Sequence, residues 1–206
     1  QALSLSEKAT SKKHIANSYH LIAQANSMKG NYPSSLENHF KALSLREELA
    51  DKPGIAKSFL VIGNVYSSQG DYPKALDYYF KALKMDEELG DKIGIATDLC
   101  NIGNVYYGQS DYPKALDYYF RALKIDEELG NKKGISNVIG SIGIAYYYQG
   151  NYPKTLDYYF KALNMAEQLG DNYLIASTLG NIGLVYYKQG DYPKALDYYF
   201  KNLKMA

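Results

Sequence analysis

Few residues in this chain have the types and spacing for chemistry. Its three histidines, His14, His20 and His39, all lie before residue 40, and no two stand four apart as a helical metal site requires. They read as surface or groove histidines. The acidic run Asp86-Glu87-Glu88, echoed at Asp126-Glu127-Glu128, has the makings of paired carboxylates for acid–base work. It repeats at a fixed offset, however, and reads as a solvated charged face at a helix end. Cys100 is the single cysteine, has no histidine beside it in sequence, and reads as a small half-buried residue. Neither a Gly-x-Gly-x-x-Gly run nor a phosphate-loop lysine motif occurs. No catalytic residue, metal ligand or cofactor site is expected, so the chain reads as a non-enzyme.

Composition points the same way. Lys and Arg number 23 against 22 Asp and Glu, a net charge of +1, which gives no basic stripe for nucleic acid. No apolar run approaches the roughly 20 residues that cross a bilayer, so no membrane partner is expected. No basic-then-apolar leader opens the sequence. One cysteine excludes an internal disulfide framework and fits a reducing, cytoplasmic setting. The anomaly is 23 tyrosines with no tryptophan.

The elements that would position any site repeat. "DYPKALDYYF" stands at Asp71, Asp111 and Asp191, and "NYPKTLDYYF" at Asn151, a period of forty residues. "IGNVY" at Ile62 and Ile102, "IGIAY" at Ile142 and "IGLVY" at Ile182 keep the same step. A diverged copy precedes them, and the opening "QALSLSEKA" aligns on "KALSLREEL" at Lys41. The expected organisation is a remnant of an earlier unit over 1–12, then repeats over 13–52, 53–92, 93–132, 133–172 and 173–206, with no capping helix at the end. A start and stop inside repeats suggest an excerpt from a longer array.

Each repeat reads as two helices. In the second, the first helix is expected from about Ile55 to Ser68, with Phe59, Ile62, Gly63 and Tyr66 on one 3.6-period face. Gly70 can take the left-handed cap, Asp71 is a good N-cap, and Pro73 fits the first turn. The second helix, about Tyr72 to Leu89, carries a charged stripe with Asp77–Lys81 and Lys84–Glu88 at i,i+4, each pair worth about 0.2–0.5 kcal/mol. Ala75, Leu76, Tyr79, Phe80, Ala82 and Leu83 form an arc too broad to be buried on one side only.

Phe59, Ile62-Gly63, Tyr66, Ala75, Tyr79 and Ala82, with their copies at Leu99, Ile102-Gly103, Tyr106, Ala115, Tyr119 and Ala122, resemble the tetratricopeptide repeat. The period is forty rather than thirty-four, there is no tryptophan, and Glu87 stands where a proline would trail. Longer repeats of this kind resemble those of Leu-Gly-Asn-type adaptors, kinesin light chains and the repeat regions of bacterial signalling proteins. The resemblance implies an all-α, right-handed superhelical solenoid of antiparallel helix pairs, about five repeats long. It also implies that first helices line a concave surface.

On that surface the stripe about 100° from the core face of each first helix is Lys57, Leu60, Asn64, Ser67 and its copies. The candidate peptide-binding residues are Lys57, Asn64, Asn101, Asn104, Tyr107, Asn137, Tyr147, Asn181 and Tyr187. Asparagine amides suit the main chain of an extended peptide, a role the adaptor resemblance implies for Asn64, Asn101, Asn104 and Asn181. The tyrosines offer stiff aromatic walls. The expected function is a non-enzymatic scaffold that binds a protein or peptide segment. Two alternatives stand beside it: a regulatory fragment of a larger cyclase or histidine kinase, and end-to-end self-assembly through Leu196, Tyr199 and Phe200 of the last helix.

Overall fold

A computed structural model describes residues 2–205, with side chains from residue 8 onward. Among these residues ten α-helices follow one another and no strand occurs. They are α1 (Ala2–Met28), α2 (Tyr32–Glu48), α3 (Lys52–Ser68), α4 (Tyr72–Leu89), α5 (Lys92–Gly108), α6 (Tyr112–Leu129), α7 (Lys132–Tyr148), α8 (Tyr152–Leu169), α9 (Asn172–Lys188) and α10 (Tyr192–Leu203). The chain is thus an all-α solenoid of antiparallel helix pairs. It divides into two compact units, residues 1–105 and 106–206. In the first, α1 packs on α2, α2 on α3 and α3 on α4. In the second, α6 packs on α7, α7 on α8, α8 on α9 and α9 on α10.

The turns follow from the residues in them. Gly70 takes φ +74°, which lets Asp71 N–H reach back to the Tyr66 carbonyl at 3.0 Å and close α3. Asp71 then turns round: its side chain accepts from Lys74 N–H at 3.3 Å, and Pro73 fills the first turn of α4. Where the repeat's glycine is missing, Ala50 and Ser110 are forced to φ +51° and +62°. Two boundaries differ from expectation. Asp51 caps α3, so that helix starts at Lys52 and takes Pro53 into its first turn. α1 runs unbroken past residue 12, because Thr10-Ser11 supplies neither the glycine nor the cap that separates helices elsewhere.

The three tyrosines of the repeated segment have separate tasks. Tyr79 lies flat on Gly63, where an added Cβ would sit 2.7 Å from its ring; Gly143 meets Tyr159 and Gly183 meets Tyr199 in the same way. Tyr78 stacks on Tyr66 with centroids 5.6 Å apart, and Lys74 and Lys81 place ammonium groups 5.1 Å and 4.7 Å from the two rings. Tyr106 with Tyr118, Tyr146 with Tyr158 and Tyr186 with Tyr198 repeat the stack. Tyr112, Tyr152 and Tyr192, the first tyrosine of each copy, lean on Tyr107, Tyr147 and Tyr187. Phe80, expected in the buried arc, is exposed, since the narrow column Ala75–Tyr79–Ala82 already fills the interface. Of the two expected ion pairs, Lys81–Asp77 closes at 2.6 Å; Lys84 and Glu88 do not pair.

Candidate functional site

The exposed face of α3 carries Lys57, half-buried Leu60 and exposed Asn64, and a pocket opens on each side of it. Toward α1, Gln24, Ser27, Met28, Val61 and Asn64 surround a space of ≈ 330 Å³ with His39 at its floor. Toward the start of α5, Lys57, Leu60, Ile93 and Thr97 surround ≈ 270 Å³ with Asp86 and Asp91 inside. Two of the expected residues, Lys57 and Asn64, therefore border cavities in one unit. Asn64 has a structural task as well: its side-chain oxygen accepts from the Tyr79 hydroxyl at 2.8 Å. That bond uses the carbonyl and leaves the amide NH2 uncommitted. Burial pushes the Tyr79 hydroxyl up to about 12, so it is a donor at neutral pH. On α5, Asn101 is half-buried and Asn104 is exposed.

In the second unit the tyrosine row is largely taken up by its own packing. Tyr107 meets Tyr112 at 6.0 Å and Tyr148 at 5.7 Å; Tyr147 meets Tyr148 at 5.4 Å and Tyr152 at 5.9 Å. Burial and the Tyr148 hydroxyl push Tyr107 up to about 12. Tyr187 touches Tyr192 and is otherwise exposed. Exposed Tyr148 sits at the centre of this cluster and was not among the expected residues; its place directly after Tyr147 was the signal. Asn137 is exposed and Asn181 half-buried.

Several polar residues prove to be interior. His20 and His39 are buried with rings 5.4 Å apart rather than at the surface, His39 reaching only the floor of the pocket beside Asn64, and neither has a partner at Nδ1. The cause is local: Ala23 replaces the glycine of the other repeats, so a tyrosine cannot lie there, and His39 stands in the column of Tyr79. Burial, His20 and Arg46 lower His39 to about 4. His14 is exposed, as expected. Asp86 and Asp126, read as part of a solvated face, are buried too, at 8 % and 3 % exposure. They point from the second helix under the start of the next first helix, while Glu87 and Glu88 face solvent. Asp98 on α5, which sequence reasoning did not single out, is fully buried against Asp86, and burial with that neighbour raises it to about 8. Comparing repeat columns would have found it, because Ser58, Asp98, Val138 and Thr178 share one buried position with four different chemistries.

Among the described residues no group of three or more His, Cys, Asp or Glu has metal-binding geometry, and no helix is long and apolar enough to cross a membrane. The surface is thus one of pockets and hydrogen-bonding groups. A tetratricopeptide repeat family model matches residues 14–88, 54–128 and 135–205. No curated protein sequence matches. Among solved structures the chain is similar to BtubC (BKLC) from P. vanneervenii, with 21 % identity, TM-score 0.83, and 100 % of this chain covering 89 % of that one. It is also similar to a Rap protein complexed with Competence and Sporulation Factor, with 18 % identity, TM-score 0.77, and 91 % of this chain covering 53 % of that one. A kinesin light chain with nearly identical TPR-like repeats from Podosopora anserina follows, with 10 % identity, TM-score 0.77, and coverage of 94 % and 95 %. At these identities the likeness is one of fold.

Proposed function

This chain belongs to the tetratricopeptide repeat family, and we propose that it is a non-enzymatic scaffold holding a partner protein segment along the exposed face of its first helices. The observation that carries this reading is the pairing of two pockets along α3, one bordered by Asn64 and the other by Lys57. An extended segment crossing α3 would place alternate side chains toward the two pockets, while the free Asn64 NH2 donates to a main-chain carbonyl. Lys57, Asn101 and Asn104 extend this surface in the first unit; Tyr107, Asn137, Tyr147, Asn181 and Tyr187 are its counterparts in the second. The half-buried tyrosines serve as walls, and the exposed Tyr187 as a direct contact.

The test is an affinity capture with the whole chain, repeated with Lys57→Ala/Asn64→Ala. We expect a specific partner to be retained by the parent and lost, or held roughly tenfold more weakly, by the variant, the effect of removing one or two hydrogen bonds. Unchanged retention rejects this placement of the surface.

A second reading, association between copies, is favoured by α10. Its Tyr199 is 37 % exposed, while the equivalent Tyr159 is 5 % exposed beneath a following helix. A regulatory role inside a larger signalling protein draws support from the likeness to the Rap complex, of whose structure the chain spans about half.

A further inference from the structure

One position in successive repeats holds opposite charge. Arg46, near the end of α2, is buried, and its guanidinium donates to Ser58 Oγ at 2.7 Å, the Gly54 carbonyl at 3.2 Å and Asn17 Oδ1 at 3.4 Å. Burial lowers its pKa, and Asp51 nearby offsets part of that by favouring the charge. One repeat later every member has a counterpart: Asp86 for Arg46, Asp98 for Ser58, Gly94 for Gly54, Lys57 for Asn17 and Asp91 for Asp51. The Gly54 carbonyl has its equal in Gly94 and the Ser58 hydroxyl is replaced by a carboxylate, while the buried cation is gone and the Asn17 acceptor gives way to Lys57.

The Asp86 niche is also left without donors. Asp98 is 0 % exposed, and apart from a proton shared with the facing Asp86 no donor reaches its carboxylate oxygens. It faces Asp86, whose own carboxylate lies so close over Gly94 that a Cβ there would strike it. The next repeat shows how this chain satisfies such an acid when it stands alone. Asp126 accepts from Asn131 Nδ2 at 2.7 Å, and the residue at the Asp98 position is the apolar Val138. In the Asp86 niche the Asn131 position is Asp91, which is already committed to capping α5 through Ile93 and Gly94 N–H and adds negative charge. Lys57 stands exposed on the rim and makes no ion pair with any of the three acids. The ≈ 270 Å³ pocket leads to Asp86 between Leu60 and Thr97.

We propose that Asp86, which lines this pocket, and the buried Asp98 that faces it form a receptor for the guanidinium of an arginine carried by the bound partner. The inference rests on the reading of α3 as a binding face, and deepens it by naming the residue the partner must present. A planar guanidinium offers paired N–H donors to a carboxylate, and the chain's own Arg46 displays that group in the preceding copy of the niche. Two facing acids share a proton when empty; on binding, that proton leaves to solvent and both carboxylates accept from the cation. The uncommitted acceptors of a buried niche then gain donors, and that gain must offset the desolvation of the guanidinium.

The experiment titrates the whole chain with methylguanidinium and follows backbone amide resonances by NMR. We expect saturable shifts at Asp86, Gly94 and Asp98, and none with methylurea, its neutral relative of similar shape. Asp86→Arg/Asp98→Ser rebuilds the Arg46–Ser58 pairing inside the niche, and should keep the fold while weakening methylguanidinium binding roughly ten- to a hundredfold. Asp98→Asn, which preserves shape, should weaken it as well and guards against misfolding of the first variant. Equal shifts with methylurea or with magnesium chloride at matched ionic strength overturn the proposal, as does undiminished binding by folded variants. Failure here with partner capture still dependent on Lys57 and Asn64 rejects the arginine receptor alone. Capture indifferent to those two residues rejects the binding face.

Discussion

Asp98 and His39 bring opposing proton linkages into the same unit. With Asp98 raised to about 8 against an ordinary value of 3.8, the folded chain keeps a proton there that the unfolded chain releases. Stability from this group therefore falls as pH rises from about 4 to about 8. His39 is lowered from 6.5 to about 4, so the unfolded chain binds a proton that the fold refuses, and stability falls as pH drops through that window. Between about 4 and 6.5 the two slopes oppose, and above 6.5 the slope from the buried acid Asp98 continues without that of His39. We expect denaturant midpoints to decline from about pH 6.5 to about pH 8, and Asp98→Asn to level that decline while exposing a fall on the acid side. A parent midpoint flat over the upper window would contradict the assignment. In the sequence only the changing column Ser58, Asp98, Val138 and Thr178 hinted at this. Asp86 sits in an acidic run and Asp98 between Thr97 and Leu99, and burial depends on which helix starts above them, a fact of packing and not of local pattern.

At the scale of the element, spacing said nearly everything. α4 spans the expected Tyr72–Leu89, because its cap, its proline and its terminal glycine are all local signals. The one-glycine column of the first helices is a stronger constraint than helix propensity, since glycine is a poor helix former and is nonetheless kept where Tyr79, Tyr159 and Tyr199 lie. Gly63→Ala should gain the propensity difference of about 1 kcal/mol and lose more, because its Cβ would stand 2.7 Å from two Tyr79 ring carbons. The ring is pinned by its hydroxyl on Asn64, so it cannot slide away without breaking that bond. A net destabilisation of about 1–3 kcal/mol is expected in urea unfolding, with a larger effect for Gly63→Val. A neutral or stabilised Gly63→Ala would show that the helix pair is looser than its geometry. The first repeat marks the limit of sequence reading here: Ala23 was visible as a departure, yet only the structure shows that the histidine pair is its compensation.

For the molecule as a whole, a repeat protein buries each helix pair against its neighbours, so a pair with an uncovered face retains the same apolar surface without a match. In the second unit α8 is covered by α9, and Tyr159 is buried accordingly. α10 presents the equivalent column to solvent: Leu196, Tyr199, Phe200 and Leu203 are all exposed. The surface that fits this column is known from inside the chain. It is a first helix with the pattern of α9, whose Ile182 and Val185 pack with Tyr159. The net charge of +1 supplies little repulsion between copies. Sedimentation velocity over a wide concentration range should therefore show mass increasing with concentration. Leu196→Lys/Phe200→Lys should hold the chain monomeric without changing its helical content, because both side chains already stand in water. The same variant should leave partner capture at α3 intact, since neither lysine lies in that unit. A strictly monomeric parent would remove the second reading, and a loss of capture in the lysine variant would show that association and recognition share a surface.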